Sequence, residues 1–382
     1  MEVDILNIPK LRFKDNNGND YPQWEKKKLG DIVQFLDNKR KPLEQSERIH
    51  GKYPYYGASG IIDYINNYIF DEELVLLSED GANIIDRNYP ICYIATGKYW
   101  VNNHAHVLKT KSQYLNKFLC EALERLNYNK YNTGTAQPKL NQDICKNILL
   151  NISILHEQEK IANFFSTIDK KIKNLANTIT SLENQKKGLL QQIFSQKLRF
   201  KDKNGNNYPN WKKKKLGDLF TIKAGGDINK ENFSEQYSIE FKYPVYANAL
   251  TNNGLYGYSN IYKIDKPSIT VTGRGINVGF ALSREPFYYP IVRLLVLIPN
   301  ININFTFFTE SINFIHIFNE STGVPQLTAP QLSKVNVYVP NIEEQNKIGN
   351  LFDKLNEKID NKKAQLEHWQ QIKKGLLQQM FV

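Results

Sequence analysis

The chain is poor in cysteine and has no long apolar run. Its three cysteines, Cys92, Cys120 and Cys145, show no CxxC spacing, which is typical of reduced thiols in a cytoplasmic protein. No apolar stretch reaches the roughly 18 residues needed to cross a bilayer. Residues 1–4 lack the basic start of a signal peptide. We therefore expect a cytoplasmic protein without a leader.

Motifs of catalysis and cofactor binding are missing as well. The sequence has no GxxxxGK[ST] phosphate loop, no glycine-rich dinucleotide fingerprint, no Asx-Pro-Pro-aromatic tetrapeptide and no Pro-Asp…acid-x-Lys nuclease pattern. His104 and His106 could share a metal, but no third ligand stands at a suggestive spacing, so we favour hydrogen-bonding histidines. Glu79 and Asp80 form no convincing carboxylate pair. We expect no catalytic residue, no metal site and no cofactor on this chain.

Length and charge point towards a two-domain protein with a polyanionic partner. A chain of 382 residues is long enough for two domains of ordinary size. Its 50 lysines and arginines exceed its 39 acidic residues and give a net charge of +11. Such a charge favours nucleic acid, because neutralising phosphates releases counterions. A lysine-rich composition also follows from an AT-rich genome, so charge alone does not decide.

Internal repetition is the strongest signal in the sequence. Residues 11–31 read LRFKDNNGNDYPQWEKKKLGD and residues 198–218 read LRFKDKNGNNYPNWKKKKLGD, which agree at 17 of 21 positions with an offset of 187. The same offset relates Glu157-Gln158 to Glu344-Gln345, and KKGLLQQIF (186–194) to KKGLLQQMF (373–381). The chain is therefore a duplicated unit of about 187 residues.

Between the matched segments the two halves differ strongly. A scaffold has to keep its geometry, whereas a recognition surface changes with its target. We therefore interpret the chain as one scaffold with two different readers, the first reader at residues 32–150 and the second reader at residues 219–340. Short echoes persist between them, namely Asp80-Gly81 against Thr272-Gly273 and Thr133-Gly134 against Thr322-Gly323.

The segments that begin with the Glu-Gln pairs have the apolar spacing of a coiled coil. Apolar residues recur at four and three residues over five heptads of 157–194, with one polar interruption at Lys186. The second copy keeps this register, with polar residues at Lys362 and Lys373. The predicted helix-pairing residues are Ile161, Phe165, Ile168, Ile172, Leu175, Ile179 and Leu182 in the first helix, and Ile348, Phe352, Leu355, Ile359, Leu366 and Trp369 in the second.

Each helix would be about 55 Å long at 1.5 Å per residue. If a two-fold axis across the seam relates the halves, the helices run antiparallel, with the readers at opposite ends of the rod. The alternative is that each helix packs separately onto its own reader. Asn341 and Glu344 have the spacing of a capping box. Gly188 and Gly375 lie inside the helices, and both fraying and close approach of a partner chain would explain them.

The readers have the composition of compact α+β domains. Short runs rich in valine, isoleucine and tyrosine, such as 73–77, 91–95 and 291–297, predict strands, and 114–127 predicts a helix. The intervening loops carry side chains that pair with base edges, and glycines that admit phosphate. The predicted DNA-binding residues are Tyr56, Ser59, Asn83, Lys98, Asn102, Asn103, His104, Gln137 and Lys139 in the first reader, and Asn248, Asn252, Arg274, Asn277, Arg293 and Gln326 in the second.

This layout resembles the specificity subunits of type I restriction-modification systems. Segments similar to those of the family are YPYYGASGIIDY (53–64), EDGAN (79–83), GKYWVNNHAHVL (97–108), GTAQPKLN (134–141) and EQEKIANFF (157–165). The second reader departs more, with GRGINVGFA (273–281) and STGVPQLTA (321–329) as its recognisable pieces.

The resemblance implies an α+β fold with two tandem pseudo-symmetric target-recognition domains, joined by two long helices that form an antiparallel coiled coil. The expected limits are 1–155 for the first domain, 156–197 for its helix, 198–341 for the second domain and 342–382 for its helix. The implied function is non-catalytic recognition of a bipartite, asymmetric site in double-stranded DNA.

The resemblance also implies partners. Two methylation subunits would use S-adenosylmethionine to methylate adenine at N6, and two restriction subunits would use ATP and Mg²⁺ for translocation and cleavage. Two alternatives remain from the residues alone. One is an enzyme, either a fused restriction-methylation polypeptide or a nuclease, against which the missing motifs argue. The other is a stand-alone tandem-domain DNA-binding regulator or adaptor.

Overall fold

The computed structural model describes residues 8–315, 317 and 325–381. The chain divides into two compact units, Met1–Ala176 with Ala364–Val382 as the first unit, and Asn177–Lys363 as the second unit. Both boundaries fall inside long helices. The predicted limits of 1–155, 156–197, 198–341 and 342–382 divide the chain by sequence repeat rather than by compactness, and stay a prediction.

The first half of the chain contains a strand-rich domain followed by a helix of 40 residues. Its elements are β1 (Glu25–Lys28), α1 (Leu29–Ile32), β2 (Val33–Phe35), β3 (His50–Gly57), β4 (Gly60–Ile65), β5 (Phe70–Asp71), β6 (Leu74–Ser78), α2 (Asn83–Asp86), β7 (Cys92–Ala95), β8 (Lys98–Val101), β9 (Ala105–Thr110), α3 (Asn116–Arg125), α4 (Gln142–Lys146), β10 (Leu149–Ile152) and α5 (Leu155–Phe194).

The second half has a similar but not identical order and ends with a helix of 39 residues. Its elements are β11 (Lys212–Lys215), α6 (Leu216–Leu219), β12 (Phe220–Ala224), β13 (Phe233–Ser234), β14 (Tyr243–Tyr246), β15 (Leu255–Ser259), β16 (Ser268–Thr272), β17 (Ala281–Arg284), β18 (Tyr289–Pro290), β19 (Leu294–Pro299), α7 (Phe305–Ile315), α8 (Ala329–Ser333), β20 (Asn336–Val339) and α9 (Ile342–Met380).

The two readers share the topology of their main sheet. The first reader has an antiparallel sheet in the order β2-β9-β6-β7, and the second reader has the same sheet in the order β12-β19-β16-β17. β6 and β16 are inner strands, buried at every residue, so they read as continuous apolar or small runs. A second sheet has the order β4-β3-β8-β5 in the first reader and β13-β15-β14-β18 in the second. The predicted α+β class is confirmed.

A repeated three-residue clasp explains why the segments 11–31 and 198–218 are nearly identical. Arg12 places Nε 2.7 Å and Nη2 2.8 Å from the two carboxylate oxygens of Glu157, at the start of α5. The indole of Trp24 donates to the same carboxylate at 2.9 Å. Because Glu157 is fully buried, both partners are needed to stabilise its charge. The second unit repeats the clasp with Arg199, Trp211 and Glu344.

The clasp also corrects the predicted capping box at the start of α9. The Glu344 amide donates to Oδ1 of Asn341 at 3.0 Å, so the first half of the motif is present. The Glu344 carboxylate, however, is bound by the arginine and the tryptophan of the clasp. The next residue, Gln345, is 3% exposed and ties the helix to the reader, since its Oε1 accepts from the amide of Asn304 at 3.1 Å.

The two long helices pair antiparallel, as predicted. In the first unit the ring of Phe165, near the start of α5, lies 6.1 Å from that of Phe381, beyond the end of α9. In the second unit Phe194, at the end of α5, stacks on Phe352 near the start of α9. Within each unit the start of one long helix therefore lies beside the end of the other.

Most of the predicted pairing residues are buried, and many belong to the reader cores as well. Ile161, Phe165 and Ile168 share a hydrophobic cluster with Trp24 of the first unit, so the predicted alternatives of helix pairing and packing on the reader are combined. The buried members are Ile161, Phe165, Ile168, Leu175, Ile179, Ile348, Phe352, Leu355 and Ile359, and the half-buried members are Ile172, Leu182, Leu366 and Trp369.

Two of the three lysines that interrupt the apolar seam, Lys186 and Lys373, pair with the readers. Lys186 lies 2.6 Å from the carboxylate of Glu310 on α7, and Lys373 lies 3.0 Å from the carboxylate of Glu121 on α3. Both glutamates are buried. Each lysine therefore fixes a reader helix to the long helices of its own unit.

Candidate nucleic-acid interface

Four loops of the first reader converge at one end of its β2-β9-β6-β7 sheet. We call residues 56–60, 79–83, 102–104 and 133–140 the first loop cluster. The amide of Asn102 donates to the carbonyl of Tyr56 at 3.0 Å, and that of Glu79 donates to the carbonyl of His104 at 2.9 Å. The amide of Leu140 donates to the carbonyl of Glu79 at 2.7 Å. Residues far apart in sequence thus form one hydrogen-bonded surface.

Eight of the nine predicted residues of the first reader lie in this cluster, and seven of them remain candidates for contact or support. Asn102 is buried, and its Oδ1 accepts the amide of His104 at 2.8 Å, so it shapes the turn rather than facing a ligand. Burial raises the pKa of Tyr56, which stays a neutral hydrogen-bonding phenol. The exposed members are Ser59, Asn103, His104, Gln137 and Lys139.

Asn83, at the edge of the cluster, and Lys98, outside it, differ from these seven residues. Asn83 is buried, and its side-chain amide exchanges two hydrogen bonds with the backbone of Tyr89, so it is already used within the reader. Lys98 lies at the start of β8, at the opposite end from Asn102, with its ammonium 4.6 Å from the ring centre of Tyr68. Its contact with DNA stays a prediction outside the loop cluster.

The second reader has an equivalent arrangement. We call residues 246–254, 273–279, 291–293 and 325–327 the second loop cluster; Thr322-Gly323 of the predicted last loop lies outside the described residues. Gly273 donates to the carbonyl of Arg293 at 2.9 Å, and Gly275 donates to that of Pro325 at 3.0 Å. Oδ1 of Asn248 accepts the amides of Gly273 and Arg274, at 2.7 and 3.1 Å. Asn248 is therefore a positioning residue of this cluster.

The remaining predicted residues of the second reader surround one cavity or its rim. A cavity of about 360 Å³ is lined by Arg274, Asn277 and Arg293 together with Asn248. Asn252 is exposed in the neighbouring turn, and Gln326 is exposed opposite Arg274 in a β-bridge. The guanidinium groups of Arg274 and Arg293 have no hydrogen-bond partner within the described parts of the chain. The structure thus brings all six predicted residues of this reader to one sheet end.

Matching hydrogen bonds show which residues of the two clusters are structurally equivalent. Gly81 donates to Pro138 as Gly275 donates to Pro325, so Gly81 is equivalent to Gly275. Asp80 bridges Lys139 as Arg274 bridges Gln326. The echo of Asp80-Gly81 with Thr272-Gly273 was therefore wrong by two residues, because short Gly-containing strings match at several offsets. The equivalent positions carry opposite charge in the two readers.

A protein-family model described as the type I restriction modification DNA specificity domain matches the chain twice, at residues 21–184 and 208–369. The chain belongs to this family. It is a type I specificity subunit with two tandem DNA specificity domains, and such subunits are non-catalytic. Each match contains one of the loop clusters and ends within one of the long helices.

Curated relatives agree with this assignment. The subunit is 26% identical over 334 residues to a putative type I specificity subunit of Mycoplasma pneumoniae, which covers 86% of this chain and 88% of the relative. It is 22% identical over 411 residues to the MjaVIII specificity subunit of Methanocaldococcus jannaschii, covering 96% and 94%. These relatives favour the specificity subunit over a stand-alone regulator.

A solved structure supports the fold. The crystal structure of a type I restriction-modification S subunit from M. genitalium has a TM-score of 0.70 to this subunit at 19% identity, over 98% of this chain and 99% of that one. No helix among the described residues of the subunit is long and apolar enough to cross a membrane.

A buried ion network supports the first loop cluster, and no pattern in the sequence predicted it. His106 donates through Nδ1 to Asp37 at 2.7 Å and through Nε2 to the carbonyl of Leu140 at 2.8 Å. Burial opposes its protonation, but the contacts with Asp37 and Cys145 together outweigh burial and raise the pKa of His106 to about 10. The imidazolium therefore holds the end of the 133–140 loop against the sheet.

Three members of the same network have the side chains of metal ligands. Asp37, Glu79 and His106 place their ligand atoms within 4.8 Å of one another. The guanidinium of Arg40 already lies between the acids, 2.5 Å from Glu79 and 3.5 Å from Asp37. His104 bonds separately to Asp80, with Nδ1 2.7 Å from the carboxylate. Since a cationic side chain fills the centre, these groups form a salt-bridge network that braces the loops.

Proposed function

We propose that each reader of this specificity subunit binds one half of a bipartite, asymmetric DNA site through its loop cluster. The observation that supports the proposal is the repetition of one loop arrangement, at the same end of the same sheet, with different side chains. Asp80 and His104 stand in the first cluster where Arg274 and Arg293 stand in the second. Equal geometry with unequal chemistry is what reading two different half-sites requires.

The charge of the chain supports DNA as the ligand. The net charge is +11, and the second cluster presents two guanidinium groups beside exposed asparagine and glutamine side chains. Arginine pairs bidentately with guanine and asparagine with adenine in the major groove, so these groups suit direct readout. The ammonium of Lys139 lies 3.4 Å from the carboxylate of Glu79. It is therefore less available for a phosphate group than an unpaired cation would be.

The catalytic work belongs to partners in this proposal. The subunit directs methylation subunits, which carry S-adenosylmethionine and methylate adenine at N6, and restriction subunits, which use ATP and Mg²⁺ to translocate and cleave. Two copies of each would assemble with one specificity subunit in the cytoplasm. No cofactor is assigned to this chain.

The experiment replaces, in separate variants, one cationic residue at each end of the strand β16 by alanine. Arg274 follows β16, in the second loop cluster, whereas Lys266 precedes β16 and is exposed at the opposite end. The chain is expressed with its methylation subunits in a host without other methylases, and modified sites are sequenced. We expect Arg274→Ala to relax one half of the modified motif by about one base position, since losing a base contact costs about 1–3 kcal/mol.

Lys266→Ala is the matched control and leaves the motif unchanged. An unchanged motif for both variants would refute the assignment of the second loop cluster to DNA. A motif relaxed in both halves by Arg274→Ala would refute the division of labour between the readers.

A further inference from the structure

Ile276 is the most exposed apolar side chain in the second loop cluster. Its side chain is 95% exposed, between Arg274 and Asn277 on the loop that joins β16 to β17. Removing such an apolar side chain from water when a partner binds is favourable. The position is therefore suited to an apolar contact that forms only when a partner is present.

The loop that carries Ile276 is held rigidly. Gly275 and Gly279 have φ of +90° and +86°, a left-handed conformation that favours glycine. Gly279 donates to the carbonyl of Thr272 at 2.8 Å, and Val278 donates to that of Gly275 at 3.0 Å. A fixed loop loses little conformational entropy when it binds, so its side chains meet a partner in a defined register.

Exposure alone does not distinguish this residue. Ile239 is 93% exposed as well, but it precedes β14 at the other end of the sheet and is followed by Glu240. Ile276 instead lines the same cavity as Arg274, Asn277 and Arg293. In the first reader the equivalent position, one residue after Gly81, holds an exposed alanine, Ala82. The size of the apolar side chain therefore differs between two readers of the same design.

We propose that Ile276 reads the second half-site by packing against the 5-methyl group of a thymine in the major groove. The inference rests on the proposed function, because it assumes that the second loop cluster faces DNA. The thymine methyl is the one apolar group on the base edges of the major groove, and apolar side chains recognise it by contact. Arg274 and Asn277, on the same loop, supply the hydrogen bonds that keep Ile276 at one base position.

The test removes the methyl group and the side chain separately. The complex of the chain with its methylation subunits is titrated with duplexes that carry its modified site, each thymine of the second half-site being replaced in turn by deoxyuridine. At one position the wild-type complex should lose about fourfold in affinity, the value expected for one buried methyl group. The Ile276→Ala complex should bind the thymine duplex about four- to tenfold more weakly and ignore the replacement at that position.

Ile239→Ala is the matched control and keeps the wild-type sensitivity to deoxyuridine. If a variant complex still recognises the first half-site as the wild type does, the complex is folded. The proposal is overturned if Ile276→Ala and wild type respond equally to deoxyuridine at every position, or if the second half-site contains no thymine on either strand. A wild-type complex that binds no sequence specifically would contradict the proposed function instead.

Discussion

The ion pair between Lys186 and Glu310 offers a direct test of how the second reader is fixed to its helices. The lysine ammonium lies 2.6 Å from Oε1 of the glutamate, and the two side chains are 24% and 8% exposed. Asn356 on α9 places its Nδ2 3.4 Å from the same oxygen. We expect Lys186→Met, which keeps most of the length of the side chain and removes its charge, to destabilise the second unit.

The structure sets the magnitude. Removing one partner of a buried pair costs about 3–5 kcal/mol, because the remaining charge is left uncompensated. Partial exposure of the lysine and the nearby amide of Asn356 lower this cost, so we expect a loss of about 2–3 kcal/mol in the free energy of unfolding. Changing Glu310 to leucine as well should recover most of the loss, since apolar replacement of a buried pair is often neutral.

The assay is urea unfolding of the whole chain, with Lys363→Met as the control. Lys363 lies 2.8 Å from Glu183, but these side chains are 54% and 48% exposed, so breaking the pair should cost less than about 1 kcal/mol. Equal losses for Lys186→Met and Lys363→Met would refute the argument from burial. Failure of the double variant to recover stability would show that the pair contributes more than charge compensation.

Two further predictions follow from the first unit and from the helices. The pKa of His106 is raised to about 10, so its stabilising contribution is complete below pH 6.5 and is lost as the pH rises towards 10; urea unfolding at pH 6 and pH 9 should show this decline in the wild type and a flatter profile for His106→Gln. A Cβ added at Gly188 or Gly375 would meet no atom within 4 Å in the described structure, so alanine at either site should raise the free energy of unfolding by up to about 1 kcal/mol. If the same variants fail to co-purify with the methylation subunits, a partner backbone approaches these glycines.

Local patterns in the sequence were sufficient for the helices and for the duplication. The four-three spacing that includes Phe165 and Phe352 predicted both long helices, because the periodicity of a helix is a property of neighbouring residues. Near-identity over residues 11–31 and 198–218 predicted one scaffold, and the clasp on Glu157 and Glu344 gives its physical reason. The loop positions of most predicted recognition residues followed from glycine- and asparagine-rich composition.

The roles of individual polar residues depended on contacts between distant parts of the chain. Asn83 and Asn102 have the side chains expected of base readers, but the first is bonded within the reader and the second shapes a turn. Lys186 interrupts an apolar seam in the sequence, and only the fold places its partner Glu310 beside it.

The sequence by itself therefore determined that this protein is a duplicated pair of dissimilar readers on helical scaffolds, because repetition and periodicity are carried along the chain. Only the tertiary structure decided that Arg274 stands where Asp80 does in the other reader, and that Arg40 fills the space among Asp37 and its neighbours. Such relations arise from hydrogen bonds and ion pairs across many residues of separation, which no spacing along the sequence encodes.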